Sequence, residues 1–251
     1  MFRPRIIPVL LLKDNGLVKS IKFKNHNYIG DPINAVKIFN DLKSNELVFL
    51  DIDATKENRL ISLDFVKNVS EEANMPFAVG GGIKSLNHIH KVISSGAEKV
   101  IICSEAVRNP DFIKEASGSF GTSTVAVCID YKKTFLKNNL VFTYSGRKKS
   151  RYNVIEFAQL MQEKGAGEII LQSISRDGTM EGYDLDLIKE ISINLEIPVV
   201  ALGGAGKLND LQLAFRESKA SALAAGSLFV YQSKLRGVLI NYPEKSELKQ
   251  I

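Results

Sequence analysis

Short apolar segments alternate with helical segments along almost the whole chain, and this alternation restricts the possible folds more than any other feature. Most of the apolar segments are rich in Val, Ile and Leu without strict apolar–polar alternation, as in parallel strands that are buried on both faces. Strands are predicted at residues 5–11, 47–52, 76–79, 99–103, 124–130, 168–172, 198–202 and 221–225. Successive strand–helix units of this kind predict either a closed barrel or a doubly wound sheet.

Several of the segments between the strands carry helix-start signals. Asp31 followed by Pro32 is typical of an N-cap with proline in the first helical position. Asn109 followed by Pro110 repeats this pattern, and Ser85 precedes an apolar helical pattern. Helices are therefore expected between the strands.

An internal repeat favours the barrel over the open sheet. The segment PFAVGGGIKSL, from Pro76, is similar to PVVALGGAGKL, from Pro198, and the same offset carries Ser104 to Gly226. The chain thus consists of two similar half-barrels, and a duplicated half closes naturally as a ring of eight strands. We predict an α/β fold, a (β/α)8 TIM barrel built from two similar half-barrels, formed by residues 1–251 as a single domain.

Glycine-rich clusters follow equivalent strands in the two halves. In such barrels, phosphate sites form at the carboxyl ends of strands, where helix N-termini point backbone N–H groups at the anion and glycine permits close approach. One cluster alone is equally typical of a tight turn, but two equivalent clusters predict a long ligand with a phosphate at each end. The predicted phosphate-binding residues are Gly81, Gly82 and Ser104 in the first half and Asp177, Gly178, Gly203, Gly204, Gly226 and Ser227 in the second.

Carboxylates close two of the predicted strands. Asp130 ends the fifth strand, and Asp51 and Asp53 end the second. A carboxylate at this end of a barrel strand is typical of acid–base chemistry or hydroxyl binding, and an ion pair with a neighbouring lysine is the alternative. Asp130 is the predicted catalytic carboxylate, and its counterpart in the first half is Leu11, which cannot move a proton.

Four charged residues lie at the N-terminal starts of strands. Arg5, Glu46, Lys99 and Glu168 could form a ring of alternating charge around the bottom of the barrel. A set of stabilising ion pairs is the simplest interpretation of this pattern.

A basic segment without acidic residues follows the fifth predicted strand, at residues 131–152. We expect it to be a long irregular loop over the active face, where it would bind an anionic substrate or the next enzyme. Its basic residues are Lys132, Lys133, Lys137, Arg147, Lys148, Lys149 and Arg151.

The composition limits the other classes of function. The net charge of +5, from 33 Lys and Arg against 28 Asp and Glu, suits a small anionic ligand and is too small to indicate nucleic-acid binding. No apolar segment is long enough to span a membrane, and a cytoplasmic protein without a cofactor is expected. Cys103 and Cys128 fit buried strand positions. His88 and His90 face different sides of a helix, so no metal site is predicted.

Together these motifs resemble the cyclase subunit of imidazole glycerol phosphate synthase, the HisF family. The resemblance covers nearly the whole chain, and the combination of its motifs is highly specific. They are RIIP, GDP, ELVFLDI, VGGGIKS, AVRNP, GAGEI, RDGTMEGYDLDLI and GGAG. The resemblance implies a (β/α)8 barrel that closes an imidazole ring with ammonia. It also implies a glutaminase subunit that docks on the bottom of the barrel and supplies the ammonia through the barrel core.

The resemblance also implies roles for individual residues. Arg5, Glu46, Lys99 and Glu168 match the family's charged gate at the entrance of the ammonia channel. A mobile first loop is implied, and it carries the catalytic residue Lys19. The implied partners are a HisH-like glutaminase, as a heterodimer, and a phosphorylated small molecule.

The sequence departs from the family pattern at the catalytic pair. The family uses two aspartates, of which Asp130 matches one, and Leu11 stands in place of the other. Cys103 replaces an asparagine of the family and Gln172 a threonine. Since a general acid or base contributes ~10²–10⁴-fold to a rate, the loss of one should nearly silence cyclisation.

This pattern is similar to a divergent branch of the family, whose members accompany a HisH-like glutaminase and an ATP-using N-acetyl sugar amidotransferase. That likeness implies conversion of an acetamido into an acetamidino group on bacterial surface sugars. An active imidazole glycerol phosphate synthase cyclase of histidine biosynthesis, acting on a bis-phosphorylated ribonucleotide, is the alternative, supported by Asp130 and Lys19. A sugar-phosphate isomerase is disfavoured by the GAGEI and RDGTMEGYD motifs. A purely structural barrel is disfavoured because glycine clusters and buried charges are costly without a ligand.

Overall fold

The computed structural model describes residues 3–134, 139–232 and 236–251. Eight parallel strands close into a barrel with helices outside it, so the predicted (β/α)8 fold is confirmed. The barrel strands are β1 (Arg5–Lys13), β4 (Leu47–Asp51), β5 (Phe77–Gly80), β6 (Lys99–Ile102), β7 (Val125–Lys133), β10 (Glu168–Ser173), β11 (Val199–Leu202) and β12 (Ala222–Ala225). The last strand pairs with the first, in a register that sets Arg5 beside Ala222, and this pairing closes the ring.

The remaining strands lie outside the barrel. They are β2 (Gly16–Ile21), β3 (Lys24–Gly30), β8 (Asn139–Thr143), β9 (Lys148–Asn153), β13 (Tyr231–Gln232) and β14 (Gly237–Val238). The helices are α1 (Pro32–Asp41), α2 (Leu63–Glu72), α3 (Leu86–Ser94), α4 (Ser104–Arg108), α5 (Asp111–Phe120), α6 (Val154–Glu163), α7 (Leu185–Asn194), α8 (Leu208–Arg216), α9 (Ser227–Val230) and α10 (Lys245–Leu248). A 3-10 turn lies at Thr122–Thr124. Within the described ranges, no helix has the length and apolarity needed to cross a membrane.

The predicted helix starts are found close to where the sequence placed them. The Asp31 side chain accepts a hydrogen bond from the Asn34 N–H at 2.8 Å, and Pro32 is the first residue of α1. The Ser85 hydroxyl accepts from the His88 N–H at the start of α3. Helix α5 begins at Asp111, one residue later than predicted, although Pro110 already has helical dihedral angles.

Two separate apolar cores hold the barrel together. The larger lies between the strands and the helices and includes Phe39, Phe49 and Phe157, all fully buried. The smaller fills the inside of the barrel. Its members are mostly branched or small side chains, Ile7, Val9, Val48, Ala78, Ile101, Ala126, Cys128, Ile170, Val200, Leu202, Ala222 and Ala224. This apolar interior separates the two ends of the barrel.

The segment at residues 131–152 is not the irregular loop that we predicted. Strand β7 continues to Lys133 and pairs with β8, which pairs with β9, so the described part of the segment, residues 131–134 and 139–152, forms an antiparallel extension of the sheet. The sequence signal for strand β8 was the β-prone run Val141, Phe142 and Thr143. The basic residues on both sides of this run made the segment resemble a loop. Lys137 lies outside the described residues.

A second hairpin, β2–β3, follows β1 where the resemblance implied a loop. Lys19 lies on β2, which pairs with both β1 and β3. The Asp177 carboxylate fastens this hairpin, accepting from the Ser20 hydroxyl at 2.7 Å and from the Phe23 N–H at 3.3 Å. The implied loop has the form of a β-hairpin whose turn is hydrogen-bonded to Asp177 in the second half of the barrel, and its mobility stays a prediction.

Candidate functional site

A cavity of about 470 Å³ opens at the carboxyl ends of the barrel strands. Both half-barrels and both hairpins contribute to its walls. All the predicted phosphate-binding residues line it, and so do Asp130, Lys19 and Leu11. The structure therefore brings the predicted phosphate-binding residues together with Asp130, Lys19 and Leu11 at one end of the barrel, and the charge ring lies at the opposite end. Asp53 and the described basic residues of the 131–152 segment do not line the cavity.

The first-half cluster combines a glycine turn with the start of a short helix. Gly82 has a φ of +69°, and a Cβ there would lie 1.7 Å from the Arg59 carbonyl oxygen, so only glycine fits. This packing explains the glycine without a ligand. Ser104 begins α4, and its hydroxyl accepts from the Tyr144 N–H at 3.0 Å. The turn between β8 and β9 thus lies against the predicted phosphate site.

The second-half cluster has the same construction. Gly204 has a φ of +115°, and a Cβ there would lie 2.1 Å from the Gly182 carbonyl oxygen. Ser227 begins the short helix α9, as Ser104 begins α4. The duplication predicted from sequence is therefore visible in the geometry, and phosphate binding at both ends stays a prediction.

Asp177 has a structural task that the sequence did not reveal. Besides holding the β2–β3 hairpin, its carboxylate accepts from the Gln172 amide at 3.4 Å. Burial raises the pKa of this carboxyl, and the hydrogen bonds from Ser20 and Phe23 oppose that shift. A negative side chain already committed to these donors is a poor phosphate contact, so Gly178 is the better candidate in this segment.

Asp130 lies on β7 at the floor of the cavity with 8% of its surface exposed. The Cys103 thiol donates to one carboxyl oxygen at 3.5 Å and the Cys128 thiol to the other at 3.7 Å. Burial raises the pKa of Asp130 to about 7, against the opposing effect of the two thiols. A carboxyl with such a pKa suits proton transfer near neutral pH.

Leu11 occupies the corresponding position on β1 and also lines the cavity. It packs against the inner core of the barrel. The position where a second acid would complete a catalytic pair is thus apolar.

Lys19 is buried against the second-half cluster. Its Nζ donates to the Val9 carbonyl oxygen at 2.5 Å, and a Cβ added at Gly226 would lie 2.3 Å from the same Nζ. Burial lowers the pKa of Lys19 to about 8, and the charge of Asp177 limits the shift. An amine with this pKa releases its proton more readily than a surface lysine does.

The lowered pKa of Lys19 predicts a pH-dependent stability. Between pH 8 and pH 10.5 the folded chain has lost the Lys19 proton while the unfolded chain still binds it, so stability rises with pH across this window. The free energy of unfolding of the wild type relative to a Lys19→Met variant should therefore rise by ~3 kcal/mol between pH 7 and pH 10.5. Denaturant titrations at both pH values measure it. The exposed Lys24→Met is the control, and an equal difference at both pH values would contradict the prediction.

Asp51 and Asp53 form ion pairs, which was the alternative to acid–base chemistry or hydroxyl binding for carboxylates at this strand end. Asp51 accepts from the Arg59 guanidinium at 2.5 and 3.2 Å and also from the Asp53 and Ala54 N–H groups. Asp53 lies 3.2 Å from the Lys13 ammonium. Both carboxylates therefore fix the loop after β4, and the partner of Asp51 is an arginine.

The four charged residues at the strand starts form a closed ring of ion pairs. Arg5 contacts Glu46 at 2.5 Å and also contacts Glu168, while Lys99 lies 3.0 Å from Glu168 and 3.6 Å from Glu46. Glu46 and Glu168 are both buried. A small internal cavity of about 10 Å³ lies beside the ring and is lined by Glu46, Lys99 and Glu168 together with apolar side chains. Two of the apolar residues, Val9 and Leu50, also line the large cavity. The small cavity is about the size of one water molecule.

The sequence missed three contributions to this site. Cys103 and Cys128 lie beside Asp130, because β6 and β7 are neighbouring strands in which Ile102 pairs with Val127. The adjacency of these two strands was the signal that could have indicated the contact. Cys128 is buried as predicted, whereas Cys103 is half-buried and faces the cavity. The turn residues Tyr144 and Ser145 also line the cavity, because an unrecognised hairpin carries them there.

Comparisons with known proteins agree with this architecture. The family described as "Histidine biosynthesis protein" matches residues 5–236. The chain is 45% identical over 248 residues, 99% of each chain, to a Pseudomonas aeruginosa protein with the provisional name imidazole glycerol phosphate synthase subunit hisF2. It is 41% identical over 251 residues to a Vibrio vulnificus protein provisionally named as subunit hisF3, covering 100% of this chain and 96% of that one. The imidazole glycerol phosphate synthase subunit HisF of Alkaliphilus metalliredigens is 42% identical over 231 residues, 92% of each chain.

Proposed function

Because the chain belongs to the histidine biosynthesis protein family of HisF-like barrels, we propose that it is the barrel subunit of a glutamine-dependent amidotransferase system. A HisH-like glutaminase supplies ammonia at the charge ring, and the barrel passes it to the other end. An ATP-using N-acetyl sugar amidotransferase then uses the ammonia to convert an acetamido into an acetamidino group on a bacterial surface-polysaccharide sugar.

The observation that carries this proposal is the contrast between the two ends of the barrel. At the bottom, the ring of Arg5, Glu46, Lys99 and Glu168 is complete. At the top, Leu11 lines the cavity that Asp130 also lines, so the pair of acids needed for cyclisation is broken. A barrel that retains its entrance and lacks half of its acid–base pair fits ammonia delivery better than ring closure.

The interior of the barrel supports the passage of neutral ammonia. The barrel core above the ring is apolar. The internal cavity beside the ring, which Glu46, Lys99 and Glu168 line together with apolar residues, holds about one small molecule. Ammonium is charged, and moving an unpaired charge into the apolar core costs far more than moving a neutral amine. The buried glutamates of the ring supply acceptors at the point where ammonia would enter.

One observation favours the alternative, cyclisation in histidine biosynthesis. Asp130, with a pKa near 7, and the buried amine of Lys19 both remain at the cavity, between the two glycine clusters. In this alternative, Asp130 acts as the single acid–base group, the two glycine clusters bind the two phosphates, and cyclisation is slow. Several relatives, among them the Alkaliphilus metalliredigens protein, are named as imidazole glycerol phosphate synthase subunits.

A direct assay separates the two functions. The purified chain is incubated with the bis-phosphorylated ribonucleotide precursor and excess ammonium at alkaline pH, and loss of precursor absorbance is followed. The proposal predicts no turnover above the uncatalysed rate. Turnover at the rate of a histidine-pathway cyclase assayed in parallel would support the alternative.

A further inference from the structure

Two thiols and a carboxylate meet at the floor of the large cavity. Cys103 follows β6, and Cys128 lies on the neighbouring strand β7, two residues before Asp130 on the same face of that strand. One ligand atom from each of these three side chains lies within 4.8 Å of the other two. All three residues line the cavity.

The distances match the edges of a tetrahedral metal site. Zinc binds thiolate sulfur at about 2.3 Å and carboxylate oxygen at about 2.0–2.2 Å, so a sulfur and an oxygen on one tetrahedral zinc lie about 3.5 Å apart. The Cys103 sulfur lies 3.5 Å from one Asp130 oxygen, and the Cys128 sulfur lies 3.7 Å from the other. A zinc ion between them requires only small rotations of side chains that already converge.

The donor set also selects the kind of metal. Thiolates favour zinc and other soft ions over magnesium and calcium, which prefer all-oxygen sites. Without a metal, the only described hydrogen bonds to this buried carboxyl come from two thiols, which are weak donors. We propose that Cys103, Cys128 and Asp130 form a zinc site at the floor of the cavity.

Three protein ligands leave a fourth position, which opens into the cavity. This is the arrangement of zinc sites that act on a ligand, since structural zinc sites close all four positions with protein. The fourth position takes a small neutral donor, such as water, ammonia or a carbonyl oxygen, and zinc there polarises the bound group. The site was not predicted from the sequence, where only the histidines were considered as ligands. It stands independently of the proposed function.

Metal content and a cobalt spectrum test the proposal with the untagged full-length chain. The reduced protein is loaded with zinc chloride, dialysed and analysed by mass spectrometry for metal, and about one zinc per chain is expected. Cobalt loaded in its place should give a thiolate-to-cobalt charge-transfer absorption. Cys103 and Cys128 are the two cysteines of the chain, so this band reports on them alone.

Variants assign the ligands. Cys103→Ser, Cys128→Ser and Asp130→Asn should each weaken zinc binding by more than ~100-fold in competition with a chromophoric chelator, beyond what loss of an outer-shell partner costs. His26→Ala, which changes another lining residue of the same cavity, should leave zinc affinity unchanged. Circular dichroism checks that each variant is folded. If Cys128→Ser unfolds, the zinc affinity of Cys103→Ser, a change at a half-buried position, and the cobalt band of the wild type test the site.

Three results would overturn the zinc site. One is a folded, reduced wild type that retains no zinc and gives no charge-transfer band with cobalt. Another is zinc retention that survives both cysteine substitutions. Loss of both thiols in air, detected with a thiol reagent and not prevented by zinc, would assign the pair to a disulfide and also exclude the proposal.

Discussion

A Leu11→Asp variant is expected to convert the bis-phosphorylated ribonucleotide precursor with ammonium at least ~10²-fold faster than the wild type does, because a positioned acid–base group contributes ~10²–10⁴-fold to a rate. Leu11 lines the cavity that Asp130 occupies, so the new carboxylate faces the same ligand. Because position 11 is only partly buried, the charge of the introduced aspartate stays in contact with solvent. The expected gain is at the low end because Cys103 and Gln172 also depart from the family pattern.

The matched control for this gain is Leu11→Asn. Asparagine has the size and polarity of aspartate but transfers no proton, so the control should remain as slow as the wild type. Equal gains in the two variants would show that shape, and not proton transfer, limits the wild type. No gain with aspartate would mean that the cavity has lost the precursor as well as the acid.

The second large effect is expected at the charge ring. Glu168→Gln removes one of the two carboxylates that Arg5 and Lys99 share and leaves Glu46 as the remaining carboxylate of the ring. Removing one partner of a buried ion pair typically costs 3–5 kcal/mol. Since more than a third of the Arg5 side chain is exposed, solvent screening brings the expected loss to about 2 kcal/mol. Chemical denaturation of the isolated chain measures it.

The same variant should uncouple the use of glutamine from the use of free ammonium. With a glutaminase docked at the ring, glutamine-dependent transfer should fall while ammonium-dependent transfer at the top of the barrel is kept. Glu98→Gln changes an exposed glutamate immediately before β6, at the same end of the barrel, and should alter neither. Equal losses with both nitrogen sources would instead indicate a general distortion of the barrel.

The barrel itself was predictable because its sequence signals repeat. Apolar runs between capped helices indicate strands wherever they occur, and the duplicated glycine turns pointed to a closed ring. The charge ring also followed from the sequence, because the N-terminal starts of all the parallel strands lie at one end of the barrel. Arg5, Glu46, Lys99 and Glu168 were assigned on that ground, and their ion pairs confirm it.

The two hairpins were not predictable in the same way. Strands β3 and β9 are largely exposed, and their polar composition carries no buried–exposed alternation that would distinguish them from a loop. Their consequences reach the site, because they bring Lys19 and Tyr144 to the cavity. Likewise, the hydrogen bond from Ser20 to Asp177 joins residues far apart in the chain, so the sequence does not reveal it.

The most direct test of the proposed function uses the cell. The gene for this chain is deleted from its source organism, and the surface polysaccharide is analysed by mass spectrometry and NMR. We expect the deletion strain to carry an unreacted acetamido group in place of the acetamidino group. The wild-type gene should restore the acetamidino group, and the Glu168→Gln gene should restore it poorly. A polysaccharide unchanged by the deletion, together with a new requirement for histidine, would contradict the account and identify the chain as a cyclase of histidine biosynthesis.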